Sequence, residues 1–225
     1  VTCEAPLFPE AMSTLNKWWS WHRGESIVVC GLGPSIYEFA PYAEHFITIG
    51  VNDIGRHFDP DYLVIVDPIT QFERARNGRD DRQRYIASTK AKAVFSQLGT
   101  ERLGVNPKLL VKIAKLQRMN PPKIGLPDAL PCSNNSTYIA VALAAYMGAS
   151  TIGMVGVDFV GHSFANQAAR LNEDFVQLAE AIAFTTGATV VNLSRQSLIK
   201  TIPFCGVERL LPERLIDRFK KEMRA

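Results

Sequence analysis

The feature that most constrains this chain is a series of short, unbroken apolar runs, each closing on glycine or a polar residue. Ser26–Cys30 (SIVVC), Phe46–Val51 (FITIGV), Tyr62–Val66 (YLVIV), Thr151–Val157 (TIGMVGV) and Thr189–Leu193 (TVVNL) are all rich in β-branched residues. Alternating runs would suit strands with one wet face, whereas continuous runs suit strands covered on both faces. Helical patterns lie between several of them, over Ser35–His45, Asn135–Met147 and Glu173–Thr186. This alternation predicts an α/β fold, Rossmann-like, with a mostly parallel sheet and helices on both faces. Val94–Gln97 and Leu109–Ala114 read as further strands. A helix is expected over residues 9–22, where Trp18, Trp19 and Trp21 cannot share one face, so that some pack on the domain and one is left for a partner. The segment Pro212–Ala225 reads as a basic amphipathic helix with Leu215, Phe219 and Met223 on one stripe.

A chain of 225 residues, 47% hydrophobic, can bury one sizeable core and is not a disordered polymer. We expect a single domain over residues 1–225. The longest apolar run, Tyr138–Met147, has half the length of a membrane span and suits a buried helix. Cys3, Cys30, Cys132 and Cys205 form no CxxC pair, which argues against a zinc or redox motif and fits reduced thiols in the cytoplasm.

The net charge of +3 is unevenly spread. Residues 71–125 hold 13 basic and 4 acidic side chains, a net of +9, which leaves −6 on the remainder. Clustered Lys and Arg are the electrostatic footprint of nucleic-acid binding, so a non-catalytic nucleic-acid-binding or scaffold protein is one alternative. The only aromatics in the segment are Phe72, Tyr85 and Phe95, and it contains no known binding motif, so nucleic acid is the less favoured partner. A solvated basic face or a polyanionic acceptor explains the charge equally well.

In an open α/β sheet, ligands bind beyond the carboxyl ends of the strands. The first run ends in Gly31-Leu32-Gly33-Pro34-Ser35. Its glycines permit a tight turn and close backbone approach, and Pro34 suits the first turn of a helix. Free amides at such a helix start attract phosphate. The pattern is neither GxGxxG nor a Walker loop. The second run ends in Asn52-Asp53 and the third in Asp67-Pro68; these side chains can hold a base, ribose hydroxyls or a metal, or simply cap helices. Asn134-Asn135-Ser136-Thr137 opens the apolar helix, another polar cluster suited to capping or to an anion. Asp158 follows the fourth run, and Gly161-His162-Ser163 comes directly after. His162 has the chemistry of a general base, and is equally at home in a surface loop.

Taken in order, Gly31–Ser35, Val51-Asn52-Asp53, Asn135-Ser136-Thr137 and Gly156-Val157-Asp158-Phe159 resemble the bacterial sialyltransferases that use CMP-sialic acid. They resemble equally the related motility accessory factor glycosyltransferases and the archaeal hydroxymethylpterin diphosphokinase-like proteins. The resemblance covers roughly residues 26–200. It implies that Gly31, Gly33, Pro34 and Ser35 surround the nucleotide phosphates. It also implies that Asn52, Asp53, Asn135, Ser136, Thr137 and Asp158 belong to the nucleotide site. Leu32 stands where the sialyltransferases carry Asn, and only Ser136 matches their Thr-Ser-Gly helix start. Asp67 fits the diphosphokinase-like branch better. The sialyltransferases carry a tyrosine-bearing lid after the aspartate, before the base; here His162 follows Asp158 almost at once.

The resemblance implies a transferase that moves a sugar from a CMP-sugar-like donor to a glycan or other hydroxyl acceptor, with His162 as base and without a required metal. A homo-oligomer is among its implied assemblies. The alternative is pyrophosphate transfer from ATP, with Asp67 and Asp158 holding Mg²⁺. Without a lid, the basic segment 71–125 or a partner subunit would have to cover the site.

Overall fold

The computed structural model describes residues 13–68, 70–73, 82–160, 167–211 and 215–216. Its strands are β1 (Ser13–Thr14), β2 (Ser26–Cys30), β3 (Ile47–Val51), β4 (Tyr62–Ile65), β5 (Ala93–Ser96), β6 (Leu110–Lys112), β7 (Lys115–Gln117), β8 (Ala129–Pro131), β9 (Thr151–Val155) and β10 (Thr189–Asn192). The helices are α1 (Ile36–Phe39), α2 (Thr70–Glu73), α3 (Arg82–Ala87), α4 (Thr100–Leu103), α5 (Ser136–Tyr146) and α6 (Ala168–Thr186). Eight strands form one sheet in the order β1-β6-β5-β4-β3-β2-β9-β10, with every neighbouring pair parallel. β7 and β8 pair in a separate parallel ribbon. The fold is the expected α/β architecture with a parallel sheet and helices on both faces.

Why the runs are continuous is visible in β2. Ile27 and Val29 join a core with α5 and α6, whereas Val28 and Cys30 join a second core with Ile36, Phe39, Ile86 and Leu103. Successive side chains point to opposite faces, so both parities must be apolar. Helix α5 is buried from Thr137 to Tyr146 and shows no polar face, as befits a helix enclosed on all sides. Helix α6 is one-sided: Leu171, Phe175, Leu178 and Ile182 are buried at helical spacing. It ends on Gly187, whose φ of 72° gives the left-handed C-terminal turn that glycine adopts readily.

Three expectations change. Within residues 13–22, a two-residue strand and a 3-10 turn at Leu15–Trp18 replace the helix. Tertiary contacts override the local preference here: Trp18 packs edge-on against Tyr62 and Phe95, at 5.5 and 5.3 Å between ring centroids. Trp19 and Trp21 remain 48% and 62% exposed, so two tryptophans face outward instead of one. The helix expected over Ser35–His45 is α-helical only to Phe39 and tightens to 3-10 over Ala40–His45. Pro41 lacks the amide that an α-helical continuation would use.

Residues 71–125 are part of the fold, since they supply α3, β5, α4, β6 and β7. Their charge is partly matched by the acidic body. Lys90 pairs with Asp59 at 2.9 Å, Lys92 with Asp61 at 2.7 Å and Arg82 with Asp53 at 2.9 Å. Of the expected C-terminal helix, Leu215 and Ile216 are helical; Phe219 and Met223 lie outside the described residues. Among the described residues, no helix is long and apolar enough to cross a membrane.

Candidate functional site

The chain runs from β2 outward through β3, β4, β5 and β6, then returns to place β9 on the other side of β2. The strand order therefore reverses between β2 and β9, the position at which open parallel sheets form a ligand crevice. A cleft of about 880 Å³ opens there. Its walls include Gly33, Pro34, Asn52, Asp53, Asp67, Asn135, Ser136, Thr137 and Asp158. The structure thus brings together all the described candidates except Gly31 and Ser35, which stand directly behind the wall. His162, with Gly161 and Ser163, lies outside the described residues.

The Gly31–Ser35 turn is held by the strand beside it. The Gly31 amide donates to Val155 O at 2.8 Å and the Gly33 amide to Gly156 O at 2.7 Å. Asp158 is fully buried. One of its carboxylate oxygens accepts the Ser35 amide at 2.7 Å and the other accepts the Ser35 hydroxyl at 2.9 Å. Ser35 Oγ in turn accepts the Gly156 amide at 2.8 Å. A Cβ on Gly33 would lie 2.7 Å from Asp158 Oδ2 and 2.8 Å from Gly156 O. Glycine is therefore required here for approach to the neighbouring strand end, and the close contact expected with a ligand is made with protein instead. The free amides expected at this helix start are also used up, because the Ile36 amide donates to Gly33 O at 3.1 Å. Leu32 carries the one amide of this turn without an acceptor among the described residues.

At the next two strand ends, Asp67 is the organising group. Its Oδ2 accepts from Asn52 Nδ2 at 2.8 Å and from Ser136 Oγ at 3.0 Å, tying β3, β4 and the start of α5 together. Asn52 adopts φ 53°, a left-handed conformation that Asn tolerates better than most residues. Its Oδ1 is buried and has no partner among the described residues. Asn135 acts as the N-cap of α5: its Oδ1 accepts the amides of Thr137 at 2.8 Å and Tyr138 at 3.3 Å, and also the Thr137 hydroxyl. Phe159, on the cleft wall just after Asp158, has φ 57°. Such a backbone is uncommon for a bulky residue, and strain of this kind gathers at functional sites.

Asp53 is fully buried and faces arginines. Arg82 Nη2 donates to Asp53 Oδ1 at 2.9 Å, and Arg56 Nη1 lies 3.6 Å from Asp53 Oδ2. Both arginines line the cleft, with Arg84, Tyr85, Gln71 and Arg170. Sequence analysis missed these arginines as site residues. Arg56 follows Asp53 by three positions in a turn, a spacing that could have flagged it. Arg82 and Arg84 are reached through the fold alone.

Arg56 Nε donates to His57 Nε2 at 3.1 Å, which requires a neutral ring with its proton on Nδ1. Burial and the neighbouring Arg56 hold the His57 pKa below its ordinary value, against the opposing pull of Asp53. A lowered folded value means that stability is fully present above the ordinary histidine range and is lost as pH falls through the folded value. Wild type should therefore lose more stability than His57→Gln between pH 7 and pH 5, as read from urea midpoints, because the glutamine keeps an acceptor and does not titrate.

The Mg²⁺ reading can be tested on the donors themselves. Both Asp158 oxygens are engaged by Ser35, and Asp67 Oδ2 already serves two donors. Among the described residues there is no group of three His, Cys, Asp or Glu arranged to hold a metal. Asp67 and Asp158 do not fit a Mg²⁺ pair.

No protein-family model matches the chain, and no curated protein matches it. Among solved structures, the chain is similar to sialyltransferases of Campylobacter jejuni. CstII in complex with cytidine-5'-monophosphate is 14% identical over 85% of this chain and 88% of that chain, at a TM-score of 0.49. CstII with CMP-3FNeuAc is 11% identical over 80% and 85%, at 0.47. The monofunctional alpha-2,3-sialyltransferase Cst-I is 12% identical over 89% and 94%, at 0.47.

Proposed function

We propose that this chain is a nucleotide-sugar-dependent glycosyltransferase whose donor binds in the cleft at the β2/β9 reversal. The observation that carries the proposal is the buried, unpartnered Oδ1 of Asn52. An unmet buried acceptor is costly, and a ligand N–H or O–H placed there removes that cost. A nucleobase amino group or a ribose hydroxyl supplies such a donor. Asp67 supports this wall by fixing the Asn52 amide and the Ser136 hydroxyl. Pro34, Asn135 and Thr137 shape it. Gly31, Gly33, Ser35 and Asp158 set the turn that forms its floor.

In the transfer, the acceptor hydroxyl oxygen attacks the anomeric carbon. The bond from that carbon to the phosphate oxygen breaks, and its electron pair leaves with the nucleotide. The hydroxyl proton passes to a base, a role proposed for His162. A glycan or another hydroxyl compound is the acceptor. The volume and the convergent polar groups suit a nucleotide, whereas the charge matching of the 71–125 segment by Asp53, Asp59 and Asp61 weakens the nucleic-acid alternative.

Calorimetry against CMP, CDP, UDP and ATP, each with and without Mg²⁺, tests this. At least one pyrimidine nucleotide should bind, and Asn52→Ala should weaken it about tenfold, as expected for one buried hydrogen bond. Absence of binding by any nucleotide would sink the proposal.

A further inference from the structure

Among the described residues, four aspartates and four arginines line the cleft, and the fold engages all but one of each. Asp53 is held by Arg82 and Arg56, Asp67 by Asn52 and Ser136, and Asp158 by Ser35. Arg56 donates to His57, Arg82 serves Asp53 and Gln71 O, and Arg84 donates to the Tyr85 hydroxyl and lies over its ring. Arg170 and Asp174 are left. Neither makes a hydrogen bond or an ion pair among the described residues.

Both stand on α6, one turn apart, with Gln167 a turn earlier, and all three line the cleft. A spacing of four suits an ion pair on a helix. None forms here, so the guanidinium and the carboxylate both stay open to a ligand. Asp174 is half-buried and Arg170 is exposed. The Asp174 charge is felt at the Tyr138 hydroxyl, whose pKa is raised by burial and then by Asp174, but the two make no hydrogen bond. The helix beneath them is firmly held. Leu171, Phe175, Leu178 and Ile182 are buried on its core face. Asn172 Nδ2 donates to Leu198 O at 2.8 Å, and Asn172 Oδ1 accepts the Thr201 amide at 3.1 Å. Three unengaged polar side chains are thus presented to the cleft from a fixed support.

We propose, resting on the glycosyltransferase reading above, that Gln167, Arg170 and Asp174 form the acceptor subsite, and that it takes a neutral polyhydroxyl compound, the end of a sugar or glycan. The nucleotide is placed at Asn52, beyond β3, whereas α6 packs on α5 and β10, across the β2/β9 reversal. A donor held at Asn52 and spanning the reversal turns its sugar toward α6, the side from which the acceptor has to enter. A sugar hydroxyl donates one hydrogen bond and accepts others at the same time. A carboxylate only accepts, a guanidinium only donates, and a carboxamide does both. Neighbouring hydroxyls of one ring therefore find complementary partners along this face. The attacking hydroxyl stays free for the base while its neighbours are held. A simple alcohol has no second hydroxyl to use these contacts, and an acidic acceptor that reached Arg170 would also meet Asp174.

Calorimetry of the full chain, saturated with whichever of CMP, CDP and UDP binds it, tests the inference. The probes are galactose, glucose and N-acetylglucosamine, with galacturonic acid and 2-propanol for comparison. At least one neutral sugar should bind, galacturonic acid should bind no more tightly than galactose, and 2-propanol should be weaker than the best sugar by about tenfold or more, having lost several hydrogen bonds. Asp174→Ala and Arg170→Ala should each weaken the sugar about tenfold beyond any change in nucleotide affinity, as expected for one hydrogen bond to a charged group. Asp174→Asn, which keeps an acceptor oxygen, should weaken it less. The thermal midpoint of each variant should stay within about 2 °C of wild type, because neither side chain has a protein partner to lose. If no neutral sugar binds, if galacturonic acid binds better than galactose, or if both alanine variants bind sugar as wild type does, the subsite is overturned while nucleotide binding stands. If no nucleotide binds, the proposed function itself has failed and the subsite falls with it.

Discussion

Asp158→Ala is expected to cost about 3–6 kcal/mol of stability and to abolish nucleotide binding. The estimate follows from two hydrogen bonds to a charged acceptor, each worth about 1.5–3 kcal/mol. The alanine would strand the Ser35 amide and hydroxyl in a site where Ser35 is only 5% exposed. It would also free the Gly31–Ser35 turn from the end of β9, so the floor of the cleft would no longer be set. Asp158→Asn should cost roughly half as much, since one amide oxygen can still accept while the NH₂ group faces a donor. Urea unfolding of the three proteins, with calorimetry of each folded variant, checks both parts. Wild-type stability in Asp158→Ala would show that the carboxylate does not hold the turn.

Leu143→Ala should be comparably severe, at about 2–5 kcal/mol, the range for removing a fully buried leucine without collapse of the cavity. Leu143 is completely inaccessible in the middle of α5. At roughly 2–4 °C per kcal/mol for a chain of this size, the thermal midpoint should fall by about 4–20 °C. The contrast lies in function. Leu143 is not among the residues lining the cleft, so nucleotide affinity measured well below the midpoint should match wild type. A matching loss of affinity would mean that the cleft depends on core packing and not on the polar contacts described above.

The fold was legible because both faces of the sheet are covered. The run Ser26–Cys30 coincides with β2, and Asn135 sits where a cap was expected. Residues 13–22 were misread because Trp18 is positioned by Tyr62 and Phe95, which are distant in sequence. The candidate site was legible as a set of strand-end residues. What each does was not. Whether an aspartate faces a ligand or a serine depends on which strand lies beside it, and the neighbour of β2 comes 121 residues later, at Gly156, in the bond to Ser35. The arginine wall was hidden for the same reason, since Asp53 and Arg82 are 29 positions apart.

Helix α5 has one more consequence. Its side chains are enclosed from Thr137 to Tyr146, so its interior amides have no local route to water and should exchange hydrogen only through global unfolding. A slowly exchanging segment then begins one residue from Ser136, on the wall of the cleft. A ligand at that wall would meet a surface unable to reshape itself around it. Accommodation of different ligands would then fall to cleft residues outside α5.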